Sequence, residues 1–149
     1  MEPALDEVRR ILEQTVTIAV LGAHWQSERP ACYVPEYLHE VGYQVFPVNP
    51  AGLGRTWLPP ERIPFVARLT DLEQPIDMVD VFRRGEVLPE HEAEILAMSP
   101  LPKVVWFQLG VRNDALAASL RAAGITVVQD RCTLADHRRL GVARNSRGG

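Results

Sequence analysis

The run Thr17-Ile18-Ala19-Val20-Leu21 constrains this chain more than any other: it is apolar after its first residue and is broken by Gly22. A strand with one wet face alternates polar and apolar residues. A strand apolar on both faces must be covered on both, as in a parallel sheet wrapped by helices. After the glycine come Ser27, Glu28, Arg29 and Pro30, a serine that suits a helix cap and a proline that suits a first helical position. Val34, Leu38 and Val41 then recur at helical spacing with Tyr37 beside them, and Gly42 ends the pattern. Pro35 requires that this helix either start later than Pro30 or bend. Tyr43 to Val48 is a second strand, closed by Asn49-Pro50. Strand, glycine turn, helix, strand is a mononucleotide-binding unit, with a positive helix N-terminus facing a crevice above the strand ends.

The crevice lacks the usual fingerprints. A dinucleotide site needs G-x-G-x-x-G, and here Gly22 is followed by His24 and Ser27 in the second and third glycine positions. Asn49 stands where an acid would hold a ribose. No G-x-x-x-x-G-K-[ST] phosphate loop occurs either.

The pattern repeats along the chain. Pro3 to Gln14 is an amphipathic helix with Leu5, Val8, Ile11 and Leu12 on one face. Ala51 to Pro64 is too rich in Gly and Pro to hold an element, and its length suggests either a lid or binding loop offering Arg55 and Trp57, or a surface excursion with Trp57 tucked onto the body. Phe65 to Leu69 reads as a short edge strand, and Thr70 as the cap of a short helix. Ile76 to Phe82 is a strand, a helix opens at Leu88-Pro89, and Lys103 to Phe107 is a buried strand. Asn113 caps a helix over Asp114 to Ala123, Gly124 ends it, and Ile125 to Val128 is the last strand. Leu134 to Leu140 forms a final turn or short helix, and 142–149 reads as a loose tail. The expected architecture is α/β: one Rossmann-like, doubly wound domain over 1–149, its N-terminal helix within 1–15, its mostly parallel sheet covered by helices on both faces. Such sheets bind ligands beyond the carboxyl ends of their strands. The residues there are Gly22 to Arg29, Asn49-Pro50, Phe82-Arg83-Arg84, Gln108-Leu109-Gly110 with Asn113, and Asp130-Arg131.

Other classes fall away. A net charge of −3 argues against nucleic acid as the main partner. No stretch of eighteen apolar residues suggests a membrane span, and Met1-Glu2-Pro3 does not open a signal peptide. Cys32 and Cys132 lack C-x-x-C spacing, which fits free thiols and a cytoplasmic location. Cys32 falls either in a helical first turn that activates its thiol or at a half-buried packing position. His39 reads as a surface residue, His91 as part of a solvated helix start, and His137 as part of a charged terminal turn. His24 alone reaches the crevice, as ligand contact or packing residue. No G-x-S-x-G or H-E-x-x-H occurs, and no metal site is expected.

Ile18 to Gly22, Arg29-Pro30, Tyr37-Leu38, Gly42 to Val45, Pro47 to Pro50, Val79 to Arg84, Val104 to Val111 and Asp130-Arg131-Cys132, in this order, resemble the stand-alone CoA-binding domain proteins. These are similar to the N-terminal domain of the succinyl-CoA synthetase alpha subunit. The resemblance spans Thr17 to Leu140 and implies coenzyme A bound across the strand ends. It implies a first phosphate loop of Gly22, Ala23, His24 and Arg29 with Pro30, and Asn49 and Pro50 at the end of the second strand. Val81, Phe82 and Arg83, with Arg84 next to them, would contact the adenosine or pantetheine portion, with Gln108, Gly110 and Asn113 opposite. Relatives often carry a basic residue where this chain has Ala51, which either weakens phosphate binding or is offset by Arg55. The expected function is coenzyme A or acyl-CoA binding without catalysis, since the synthetases draw their phosphohistidine from a second domain. A protein partner is open. The alternative is a Rossmann-type enzyme or subunit using a nicotinamide cofactor or an acyl-CoA.

Overall fold

The structure is a computed structural model and describes residues 2–143. In chain order its strands are β1 (Thr17–Leu21), β2 (Gln44–Val48), β3 (Thr56–Trp57), β4 (Ile63–Pro64), β5 (Met78–Val81), β6 (Val104–Phe107) and β7 (Thr126–Val128). The helices are α1 (Leu5–Gln14), α2 (Pro30–Glu40), α3 (Glu92–Leu96), α4 (Asp114–Ala122) and α5 (Thr133–Arg139). Five strands form one parallel sheet in the order β2-β1-β5-β6-β7. The chain steps outward from β1 to β2, then crosses back to lay β5 on the other side of β1. Because each parallel crossover is right-handed, that reversal puts the following helices on the opposite face. The order therefore has its switch point between β1 and β5.

The alternating rows of side chains confirm two covered faces. Ile18, Val20, Met78, Val104 and Trp106 face a core shared with Val8, Ile11 and Leu12 of α1 and Val34 and Leu38 of α2, on the side that α5 completes. Ala19, Leu21, Val79, Val81, Val105 and Phe107 face a second core with Ile95 of α3 and Leu116, Ala117 and Leu120 of α4. One member of the first set is not apolar. Asp80 stands in register between Val20 and Trp106 and is completely buried.

Several local expectations change. Pro35 is accommodated inside α2, which does start at Pro30, and Arg29 rather than Ser27 occupies its N-cap. Ala51 to Pro64 is not wholly loop: a 3₁₀ turn covers Pro50–Gly52, and β3 and β4 pair antiparallel. Phe65 to Leu69 forms no named strand, only a bridge between Val48 and Val66. The turn after it runs Leu69–Asp71 as 3₁₀, closed by the Asp71 carboxylate on the Arg68 N–H rather than by Thr70. The helix expected at Leu88 begins as a 3₁₀ stretch, Gly85–His91, before α3. Of the expected loose tail, 144–149 lie outside the described residues. Among the described residues no helix is long and apolar enough to cross a membrane.

Candidate functional site

Above the switch point lies a cavity of about 810 Å³, a size suited to a cofactor. Its walls come from the loop after β1 and the start of α2 (Gly22, His24, Arg29, Pro30), the loop after β5 (Phe82, Arg83, Arg84), the loop after β6 (Gln108, Gly110), and Cys132 and Leu134 at α5.

Gly22 makes the junction possible. Its φ is +87°, and its N–H donates to the Val48 carbonyl at 2.9 Å while the Phe82 N–H donates to the Leu21 carbonyl at 2.9 Å. A Cβ here would lie 3.0 Å from the Phe82 carbonyl oxygen and 3.0 Å from Arg83 Cδ, so only glycine lets the Arg83 stem cross the loop. Laid there, Arg83 is half-buried and its Nε is sealed from water without a partner among the described residues. Arg29, at the N-cap of α2, is exposed, and α2 has no side-chain cap. Arg84 is exposed and pairs with Glu86 at 3.4 Å. Three arginines against that one acid make the lining electropositive.

His24 lines the cavity and is also a packing residue. Its ring stacks on Trp25 at 4.3 Å, and its Nδ1 accepts from the Gln26 N–H at 3.0 Å. Desolvation, with Arg29 next, pushes its pKa below the ordinary histidine value, Glu28 opposing. Arg55, raised as a substitute for a basic residue at position 51, stacks its guanidinium over Trp25 at 4.2 Å, beside the rim.

The remaining predicted site residues are not all brought together. Ala23 is buried, and its carbonyl accepts from Asn49 Nδ2 at 2.9 Å; Asn49 Oδ1 accepts the Ala51 N–H at 3.0 Å. Asn49 thus braces the first loop from behind, and neither it nor Pro50 lines the cavity. Val81 lies in the second core. Asn113 caps α4, its Oδ1 accepting the Leu116 N–H, while its Nδ2 donates to the Gly85 carbonyl at 3.1 Å, tying the loops after β5 and β6 together. Gly110 lines the cavity, but its N–H is taken by Asp130 Oδ1 at 2.7 Å. Arg131 is held by Asp136 through Nε at 2.6 Å and a second nitrogen at 2.9 Å.

Gln108 forms part of the cavity floor. Its Nε2 donates to Asp80 Oδ1 at 2.6 Å and to Thr133 Oγ1 at 2.8 Å, and the Thr133 hydroxyl donates to Asp80 Oδ2 at 3.2 Å. Burial pushes the Asp80 carboxyl up to about 7, while the bonds from Gln108 and Thr133 hold it down. Sequence reasoning placed Gln108 at the crevice but missed its partners Asp80 and Thr133, and it gave no role to Cys132, which follows the end of β7 closely enough to have been reached by reading strand ends a few residues further. Cys32 does sit in the first turn of α2, but burial pushes its thiol pKa up rather than down, as befits a packing residue.

The other histidines are less exposed than their sequence neighbours suggest. His39 meets Glu61 at 2.9 Å and His91 meets Glu94 at 2.7 Å. His137 is buried, its Nδ1 at 2.7 Å from the Tyr37 hydroxyl.

Residues 16–138 match a protein family described as CoA binding domain. The chain is 33% identical over 138 residues to the uncharacterized protein YneT of Bacillus subtilis (strain 168), covering 91% of this chain and 95% of that one. Solved structures are similar to this chain as well. The Thermus thermophilus protein described as cell-free ID.343 shares 46% identity at a TM-score of 0.86, over 93% of this chain and 99% of that one. A hypothetical protein from Pyrococcus horikoshii OT3 shares 31% identity at a TM-score of 0.83, over 93% and 92%.

Proposed function

Because the chain belongs to the CoA-binding domain family, we propose that it binds coenzyme A or an acyl-CoA in the crevice above the switch point, and carries out no chemistry on it. The observation that carries this reading is Arg83. A guanidinium nitrogen sealed from water without a partner is costly. Arg83 lines the cavity, and an anion beside its guanidinium at the mouth of the β1 and β5 loops would offset that cost through its charge, with Arg29 and Arg84 nearby to share it. Coenzyme A brings about four negative charges in its pyrophosphate and 3′-phosphate, which suit arginine forks at a helix start. Its pantetheine arm is long and amide-bearing, and the cavity continues from the arginines to Phe82, Val34, Leu134 and the Gln108 amide.

A nicotinamide cofactor is the weaker reading. The first loop has one glycine of the fingerprint, and Asn49 spends its side chain on the loops themselves. In favour of a binder without catalysis, His39, His91 and His137 are each engaged with a side chain of the fold away from the cavity lining. A cytoplasmic location and a protein partner fit this reading.

A ligand that binds only the folded state stabilises it by roughly 2.7 kcal/mol at a hundredfold excess over Kd. Saturating coenzyme A is therefore expected to raise Tm by roughly 5–10 °C, and NAD by much less. A larger shift with NAD would overturn the assignment. Formation of acyl-CoA from a free acid and ATP by the isolated chain would overturn the absence of chemistry.

A further inference from the structure

Asp80 is an acid in a row of core residues, and the site as described gives it no task. Its neighbours in register are Val20 on β1 and Trp106 on β6, both apolar and both buried. From α5 it is faced by Thr133. The other titratable groups of α5 are engaged elsewhere: Asp136 with Arg131 and Arg139, His137 with Tyr37, and Arg138 over the Tyr37 ring. Burial, opposed only by the bonds from Gln108 and Thr133, accounts for its raised pKa, and no charged neighbour contributes. Such a group is kept at a cost, so its geometry is informative.

An amide side chain has one acceptor oxygen and two N–H donors. A carboxylate accepts only, so it requires the nitrogen of the Gln108 amide to face it. Both N–H groups are then spent, on Asp80 and Thr133. Among the described residues the Gln108 oxygen has no protein partner, yet it is not among the side-chain polar atoms sealed off without one. Gln108 is 5% exposed and lines the cavity, so that oxygen is what it shows a ligand.

We propose that Asp80 is a positioning residue of the crevice: with Thr133 it fixes the Gln108 amide so that only its carbonyl oxygen faces the cavity, where it accepts an N–H of the pantetheine arm. This rests on the coenzyme A reading. When Asp80 takes up a proton, its hydroxyl can donate to the Gln108 oxygen. The amide then turns its nitrogen to the cavity and meets the ligand N–H with a donor.

The test compares two probes by calorimetric titration from pH 5.5 to 8.5: coenzyme A, and the methyl ester of 3′-phosphoadenosine 5′-diphosphate on its terminal phosphate, which keeps the esterified pyrophosphate, the 3′-phosphate and the adenine but has no pantetheine arm. Taking the ratio of their affinities cancels titration of the shared groups. In the unaltered protein the preference for coenzyme A should fall about tenfold as pH drops through neutrality, the worth of one hydrogen bond. Asp80→Asn, uncharged throughout, should give a flat ratio. Gln108→Met should weaken coenzyme A about tenfold at pH 8, spare the shorter probe, and also give a flat ratio. A flat ratio in the unaltered protein overturns the proposal, as does Gln108→Met binding coenzyme A normally or losing both probes equally. Those two measurements decide even if Asp80→Asn does not fold. Binding of neither probe would overturn the coenzyme A reading itself, and this proposal with it.

Discussion

Among single residues, burial separates three arginines that look alike in the sequence. Arg29 and Arg84 are exposed, and Arg84 already leans on Glu86; an exposed pair of that kind contributes little. Arg83 differs because Gly22 lets its stem lie across the first loop and seals its Nε. Arg83→Met keeps the apolar stem and removes the unpartnered nitrogen. We expect it to leave Tm unchanged or slightly raised, and to weaken coenzyme A binding by about 2 kcal/mol, the size of a charge-assisted bond. Arg84→Ala should cost much less. Titration calorimetry of the two variants checks this, and equal losses would mean that burial does not set the ranking. The glycine and the arginines were legible in the sequence because they stand at strand ends. Their ranking was not, since it depends on a packing contact between residues 22 and 83.

Between elements, the loops after β5 and β6 form one wall because Asn113 serves both. It caps α4 and holds the Gly85 carbonyl, and Gly85 is crowded enough that a Cβ would lie 2.4 Å from the Arg112 carbonyl oxygen. Asn113→Ala should destabilise the fold by about 1 kcal/mol through the lost cap, read from denaturant unfolding. It should also weaken coenzyme A binding, because the 85–91 stretch loses its anchor; unchanged affinity would separate the cap from the site. The cap itself was readable from Asn before an apolar helical pattern, and the strands from their apolar runs. What escaped were elements too short to carry a period. The β3–β4 hairpin is hidden among Gly54, Pro59, Pro60 and Pro64, and the 3₁₀ stretch Gly85–His91 imitates a helix start. Asp80 escaped for another reason. Its partners lie 28 and 53 residues further along the chain, and only the pairing of β5 with β6 and the docking of α5 bring them together.

For the whole molecule, one buried acid links stability to pH. The Asp80 carboxyl rises from 3.8 in the unfolded chain to about 7 in the fold. Folding therefore takes up a proton between those values, and stability is lost as pH climbs through that window. We expect the Tm of the unaltered protein to fall, relative to that of Asp80→Asn, between pH 5 and pH 8, with the difference level above; a parallel pair of curves would show that Asp80 does not titrate in the fold. The same ionisation that weakens the fold is the one that fixes the Gln108 amide, so stability and ligand reading pull in opposite directions at this residue. Thr133, Cys132 and Leu134 give the arrangement a further consequence, in time rather than in space. Cys132 and Leu134 line the crevice, and Thr133 meets Gln108 beneath it, only when α5 has docked, long after β1, β5 and Gly22 have left the ribosome. A nascent chain with its central strands already paired would still present Asp80 without Thr133 and a cavity without its far wall. On the coenzyme A reading, capture waits until α5 has emerged and docked, and a bound ligand would report that this helix is in place.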